Sequence, residues 1–147
     1  MFKILLALHL LFAVFAIGPL VHAATTASRG VRTGDGRATA SSSRMLRIYG
    51  YASVLVVLVG MGLMSAKEDG KKVGEISDLW IWLSLVLWVI AIGLILGVAV
   101  PTLNKATARI AKEESVVALT GRVAAAGGIV GLIFAAIVFV MVYQPGS

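Results

Sequence analysis

The chain has no cysteine. That removes structural disulfides, thiolate nucleophiles, iron–sulfur clusters and zinc–thiolate sites in one step. Charge is scarce as well: 14% of the 147 residues are Asp, Glu, Lys or Arg, against about a quarter in an ordinary soluble domain. No carboxylate falls inside any of the long apolar runs. Acid–base catalysis within a membrane, and intramembrane proton or ion transport, therefore lack their material. Histidine is limited to His9 and His22. An ideal helix would set them about 20 Å apart on different faces, so they do not share one ligand. A transmembrane haem needs axial histidines from facing helices, and the other apolar runs hold none. No catalytic residue and no cofactor is expected.

What is abundant is apolar sequence, 59% of the chain, gathered into blocks. The longest, LWIWLSLVLWVIAIGLILGVAVPTLN from Leu79 to Asn104, runs 26 residues without an ionisable side chain. A helix of about 20 apolar residues crosses the hydrocarbon core of a bilayer. In lipid the backbone must satisfy its own hydrogen bonds, so the run has to be helical. Trp80 and Trp82 suit an interfacial aromatic belt, and Asn104 and Lys105 mark the return to water. Three further blocks make partners for it. The expectation is an all-α fold: one membrane domain over 1–147, a four-helix transmembrane bundle with spans near 3–23, 46–66, 79–103 and 120–143.

The first block, with Lys3 before it and Val21-His22-Ala23 after it, imitates a secretory signal peptide. Its apolar stretch is longer than the roughly 7–15 residues of a signal core, so a retained first helix is expected. Pro19 should bend that helix near Phe15. From Ala24 to Ser43 the composition turns to Ala, Thr, Ser, Gly and Arg, and Gly30, Gly34 and Gly36 discourage a regular helix. A polar loop of about 20 residues is predicted there, with Ser41, Ser42 and Ser43 able to cap the second helix. GVRTGDGR has neither the strand before it nor the Lys-Ser or Lys-Thr pair of a phosphate-cradling loop. The loop KEDGKKVGEISD carries Glu68, Asp69, Glu75 and Asp78, but not at the spacing of a calcium loop; with Gly70 and Gly74 it reads as a solvated turn. After Pro101 the helix should continue out of the membrane, with Lys105, Arg109 and Lys112 on one face.

The net charge of +6 reads as orientation rather than nucleic-acid binding. Arg29, Arg32, Arg37, Arg44 and Arg47 flank the first turn, and Lys105, Arg109, Lys112 and Arg122 the third. Lys3, Lys67, Lys71 and Lys72 lie on the other side, the last three offset by carboxylates. The positive-inside rule puts the basic turns in the cytoplasm and both termini outside.

Two side-chain patterns remain. Gly93-x-x-x-Gly97 and Gly127-x-x-x-Gly131 are small-residue motifs that let helices approach closely in lipid, and Gly128 widens the second. Antiparallel packing puts both at similar depth, so helices three and four are expected to touch there. On this topology His9, Met61, Met64 and Met141 share the outer half of the bundle, and imidazole with thioethers suits Cu(I). The plainer reading is that methionine fills gaps between helices.

The opening KILLALHLLFAVFAIGPLVHA, with a histidine in the first span and Gly18-Pro19 near its end, resembles a family of small bacterial four-helix membrane proteins. Their pattern in turn is similar to that of the copper-resistance D membrane proteins. The Ala- and Val-rich, cysteine-free style resembles actinobacterial proteins, among them accessory subunits of the mycobacterial respiratory supercomplex around its cytochrome c oxidase. The resemblance implies a multi-pass protein of the bacterial cell membrane with no catalytic residues. It implies other integral membrane subunits and lipid as partners, and a non-catalytic accessory role in a respiratory complex. The alternative expectation is a small transporter or copper-handling protein using His9 and the outer methionines.

Overall fold

The structure, a computed structural model, describes residues 2–65, 67–68, 71–72 and 78–145. Asp69, Gly70, Gly74, Glu75 and Ser77, the middle of the expected acidic turn, lie outside the described residues. Four long helices carry the chain. Helix α1 runs through Phe2–Phe12, Ala13–Ile17 and Gly18–Arg32; α2 is Gly36–Ser65; α3 runs through Leu79–Leu94, Ile95–Ala99 and Val100–Ala111; α4 is Val117–Tyr143. All four are long and apolar enough to cross a membrane. Between α2 and α3, Lys67 pairs with Lys72 and Glu68 with Lys71 in a short antiparallel ladder. Each helix packs on its sequence neighbours and α1 closes the ring against α4, an up-down-up-down bundle.

The long polar loop predicted for Ala24 to Ser43 is absent; only Thr33, Gly34 and Asp35 separate α1 from α2. The turn is a Schellman motif. Gly34 adopts φ +67, its N–H reaches the Val31 carbonyl at 3.2 Å, and the Asp35 N–H reaches the Gly30 carbonyl at 2.9 Å. Glycine enters that left-handed conformation without a Cβ clash. Asp35 then starts the next helix, its carboxylate accepting the Ala38 N–H at 3.1 Å. Of the three glycines read as loop formers, only Gly34 turns the chain. Gly30 stays helical because α2 passes over it: a Cβ there would stand 3.0 Å from Ala38 Cβ and 3.3 Å from the Thr39 nitrogen.

The turn from α3 to α4 repeats this geometry with a less suitable residue. Glu113 takes φ 57, and the N–H groups of Glu113 and Glu114 bond to the carbonyls of Ile110 and Arg109 at 3.0 and 2.8 Å. α3 does continue beyond Pro101 as a helix, to Ala111, as expected.

Both prolines inside helices come after a π-helical turn at the same offset. Ala13–Ile17 precedes Pro19 and Ile95–Ala99 precedes Pro101. A proline ring crowds the carbonyl four residues earlier and supplies no N–H. Widening the preceding turn relieves the crowding. The first π turn is centred on Phe15, where Pro19 was expected to disturb the helix.

The core is concentrated at the end of the bundle that holds the two short turns. Leu20, Ala23, Ala24, Ala27 and Val31 of α1 pack with Leu46 of α2, Ala99, Leu103 and Ala106 of α3, and Leu119, Val123, Ala126 and Val130 of α4. The spacing along α1 is helical throughout, which is why AATTAS folds as helix despite its polar composition. α1 alone is 30 residues from Lys3 to Arg32, so it spans about 45 Å at 1.5 Å per residue. That exceeds the hydrocarbon thickness of about 30 Å, and the surplus at the turn end carries the arginines.

Candidate functional site

Three places in the bundle bring chemically distinctive side chains together. The first is the α1–α2 contact at His9. Its Nδ1–H donates to the Val56 carbonyl at 3.1 Å. The ring lies over Gly60, where a Cβ would stand 3.0 Å from His9 Cε1. Gly60 therefore makes the room for an imidazole between two helices. The carbonyl partner requires the proton on Nδ1; in a neutral ring Nε2 is then the acceptor. Of the other copper candidates, Met61 and Met141 are partly exposed, at 40% and 38%, and Met64 is half-buried. Among the described residues, no group of three or more His, Asp or Glu side chains is placed to hold a metal. His22 is exposed, and its carbonyl accepts the Thr26 hydroxyl at 2.7 Å.

The second place is the glycine-mediated contact, and it differs from expectation. The motifs of α3 and α4 do not face each other. A Cβ on Gly127 would overlap the backbone carbonyl of Ala24 on α1, and one on Gly131 would stand 3.2 Å from Thr25 Cγ2. So the α4 motif receives α1. Gly93, Gly97 and Gly128 have nothing within 4 Å of where a Cβ would stand. The reason is rotational. α3 turns Ala91, Ile95 and Ala99 into the core, and a residue two positions away from such a row lies about 200° round the helix.

The third place is a polar seam between α2 and α3 that composition alone does not reveal. The Thr39 and Thr107 hydroxyls are 2.7 Å apart, so one donates to the other. One turn on, Ser43 donates to Asn104 Oδ1 at 2.6 Å. Farther along, the Trp88 indole N–H donates to Ser53 Oγ at 3.0 Å, while Ser53 donates to the Gly50 carbonyl at 2.6 Å. Ser84 bonds back to its own helix, donating to the Trp80 carbonyl at 2.8 Å. Thr39 and Ser43 are i, i+4, and Asn104 and Thr107 are i, i+3. That pairing of two polar stripes is the signal in the sequence, and it is hidden when the first stripe is taken as loop. Among the described residues, no fully buried side-chain nitrogen or oxygen lacks a partner.

At the turn end of the bundle the charge is one-sided. Arg29, Arg32, Arg37, Arg44 and Arg47 on one side and Lys105, Arg109, Lys112 and Arg122 on the other stand against Asp35, Glu113 and Glu114. There α3 and α4 leave an open cleft of about 220 Å³ lined by Gly97, Val98, Pro101, Thr102, Lys105 and Arg122.

Comparison of the chain with protein families, with curated proteins and with solved structures finds no match.

Proposed function

We propose that this chain is a non-catalytic structural subunit of the bacterial cell membrane that packs against a larger membrane complex. The observation that carries the reading is the use made of the polar groups where helices meet. Thr39, Ser43, Ser53, Trp88, Asn104 and Thr107 tie one helix to another, and the one histidine between helices is hydrogen-bonded to backbone. Such a bundle is built to hold a shape. Its recognition surfaces then lie outside. At the end away from the short turns, Val14, Phe15, Val138, Phe139, Val142 and Tyr143 are exposed, large and apolar. Helices packing in lipid associate through close contact and hydrogen bonds, so such a surface serves equally for lipid or for neighbouring subunits.

A respiratory oxidase is the partner to test first, with the basic turns on the cytoplasmic side and both termini outside. Purification from native membranes in mild detergent, with mass spectrometry, haem spectra and metal analysis, decides it. Stoichiometric co-purification with haem-containing subunits is the expected result. Stoichiometric copper on an isolated chain, lost in His9→Ala, would instead establish the copper-handling alternative. Orientation is read from a Ser41→Cys variant, since Ser41 is exposed on α2. An impermeant thiol reagent should fail to reach it in intact cells.

A further inference from the structure

The cleft between α3 and α4 has no role in the subunit reading, and four observations about it converge. The first is depth. Lys105 is the first charge after the uncharged run Leu79 to Asn104, and Arg122 is the last charge before the uncharged run that begins at Val123. Two antiparallel neighbours thus place their boundary cations at one level, where headgroup phosphates lie. Both side chains line the cleft.

The second is electrostatic isolation. Among the described residues no carboxylate lines the cleft. The nearest acidic residues in sequence, Glu113 and Glu114, come eight and nine positions after Lys105, roughly 12 Å along a helix. The third is a free hydroxyl. Thr102 is 5% exposed and lines the cleft. Its oxygen makes no hydrogen bond among the described residues. Among the described residues no fully enclosed polar atom lacks a partner, so this oxygen keeps some accessible surface, and the cleft is the opening that its residue lines. A threonine buried to that degree ordinarily bonds back to its own helix, as Thr107 does to Leu103 at 2.9 Å. The fourth is shape. Below the cations the wall is Gly97, Val98 and Pro101, and one turn deeper Gly93 is bare, with nothing within 4 Å of its missing Cβ. This small-residue face of α3 was expected to hold α4, and among the described residues no other part of the chain covers it.

Cations and an unpartnered hydroxyl at headgroup level, above a shallow apolar furrow, match one amphiphile with a negative head. We infer that the cleft binds one anionic phospholipid from the leaflet at the basic end, its phosphate between Lys105 and Arg122 and an acyl chain along Gly97 and Gly93. Thr102 donates to a phosphate or glycerol-ester oxygen. The lipid fills the gap between α3 and α4 at the level where Pro101 interrupts the helical hydrogen bonding.

Native mass spectrometry of the full chain in detergent tests this, with equal amounts of phosphatidylglycerol and phosphatidylcholine supplied. Each boundary cation contributes about five-fold toward an anionic headgroup, so the wild-type chain should retain phosphatidylglycerol about twenty-five-fold over phosphatidylcholine. Lys105→Gln with Arg122→Gln should bring that ratio close to one. Arg32→Gln with Arg37→Gln removes the same charge at the α1–α2 turn and should leave the ratio unchanged. Thr102→Val should lower retention several-fold at constant charge. Gly97→Leu should abolish retention with its melting temperature intact, since the furrow is open. Equal retention of the two lipids overturns the proposal, as does an equal loss in the turn pair, which would mean diffuse attraction. Displacement of the lipid by millimolar inorganic phosphate would also overturn it, reducing the site to an anion site. The measurement uses the isolated chain, so its outcome is separate from whether the chain joins a larger complex.

Discussion

At the turn end of the bundle Leu20, Leu46, Leu103 and Val123 are fully buried; at the other end Val14, Phe15, Val142 and Tyr143 are each at least 66% exposed. The two ends share a chain and a helical conformation, yet they are held differently. Where the core is tight, α1 and α4 meet backbone to side-chain gap at Gly127. There α2 and α3 share the hydroxyl and amide pairs of Thr39, Ser43, Asn104 and Thr107. Where it is open, the described interhelical polar contacts thin out to His9 on Val56 and Trp88 on Ser53. In lipid, burying another leucine gains little, because hydrocarbon is already an apolar surrounding. Close approach and hydrogen bonding therefore decide which end is firm. Large aliphatic side chains alone do not.

The comparison is broken most directly at Gly127. Gly127→Leu should cost about 3 kcal/mol, the upper part of the range for overpacking, because the Ala24 backbone has no flexible end to move aside. Gly93→Leu, with open space around it, should cost almost nothing. Reversible unfolding in mixed detergent micelles measures both, and equal effects would overturn the assignment of the α1–α4 contact.

Ser53→Ala is next. It leaves the half-buried Trp88 indole N–H without its acceptor, a loss of about 1–2 kcal/mol. Ser43→Ala, whose partner Asn104 is exposed and can turn to water, should cost about 0.6 kcal/mol, the usual value for an interhelical bond in a membrane protein. A reversed order would mean that the seam is held at its outer rather than its inner rung.

The two turns allow a change of opposite sign. Glu113→Gly should stabilise the chain by about 1 kcal/mol by relieving a left-handed non-glycine residue, and Gly34→Ala should destabilise it by a similar amount. Thermal melting of the pair reads both signs at once.

The smallest effect is expected at the open end. Phe139→Ala or Val142→Ala should shift the isolated chain by less than about 0.5 kcal/mol, as for exposed sites generally. If that end docks on other subunits, the same variants should be depleted from the purified complex. Unchanged retention would move the docking surface elsewhere on the bundle.

Helices longer than a bilayer, their number and their antiparallel succession were legible because each apolar block is long, uncharged and marked by a cation on at least one boundary. The extent of α1 and α2 was not. Gly30, Gly34 and Gly36 look alike as letters, but one sits at φ +67 in a Schellman turn and another is helical under a neighbouring helix. The glycine motifs show the same limit. Their spacing identified surfaces fit for close approach, while the partner depended on which face the core residues Ala91, Ile95 and Ala99 turned inward.

By itself, then, the sequence determined what must be true of any apolar segment in lipid: helical conformation, span length, and charges gathered at the boundaries. Each of these comes from local composition and the cost of unpaired backbone groups. Only the tertiary structure decided that Gly127 receives Ala24, that Thr39 and Ser43 meet Thr107 and Asn104, and that Lys105 and Arg122 share a cleft. Those pairings depend on the rotation of each helix about its own axis. Side chains from several helices set that rotation jointly, and no single segment carries it.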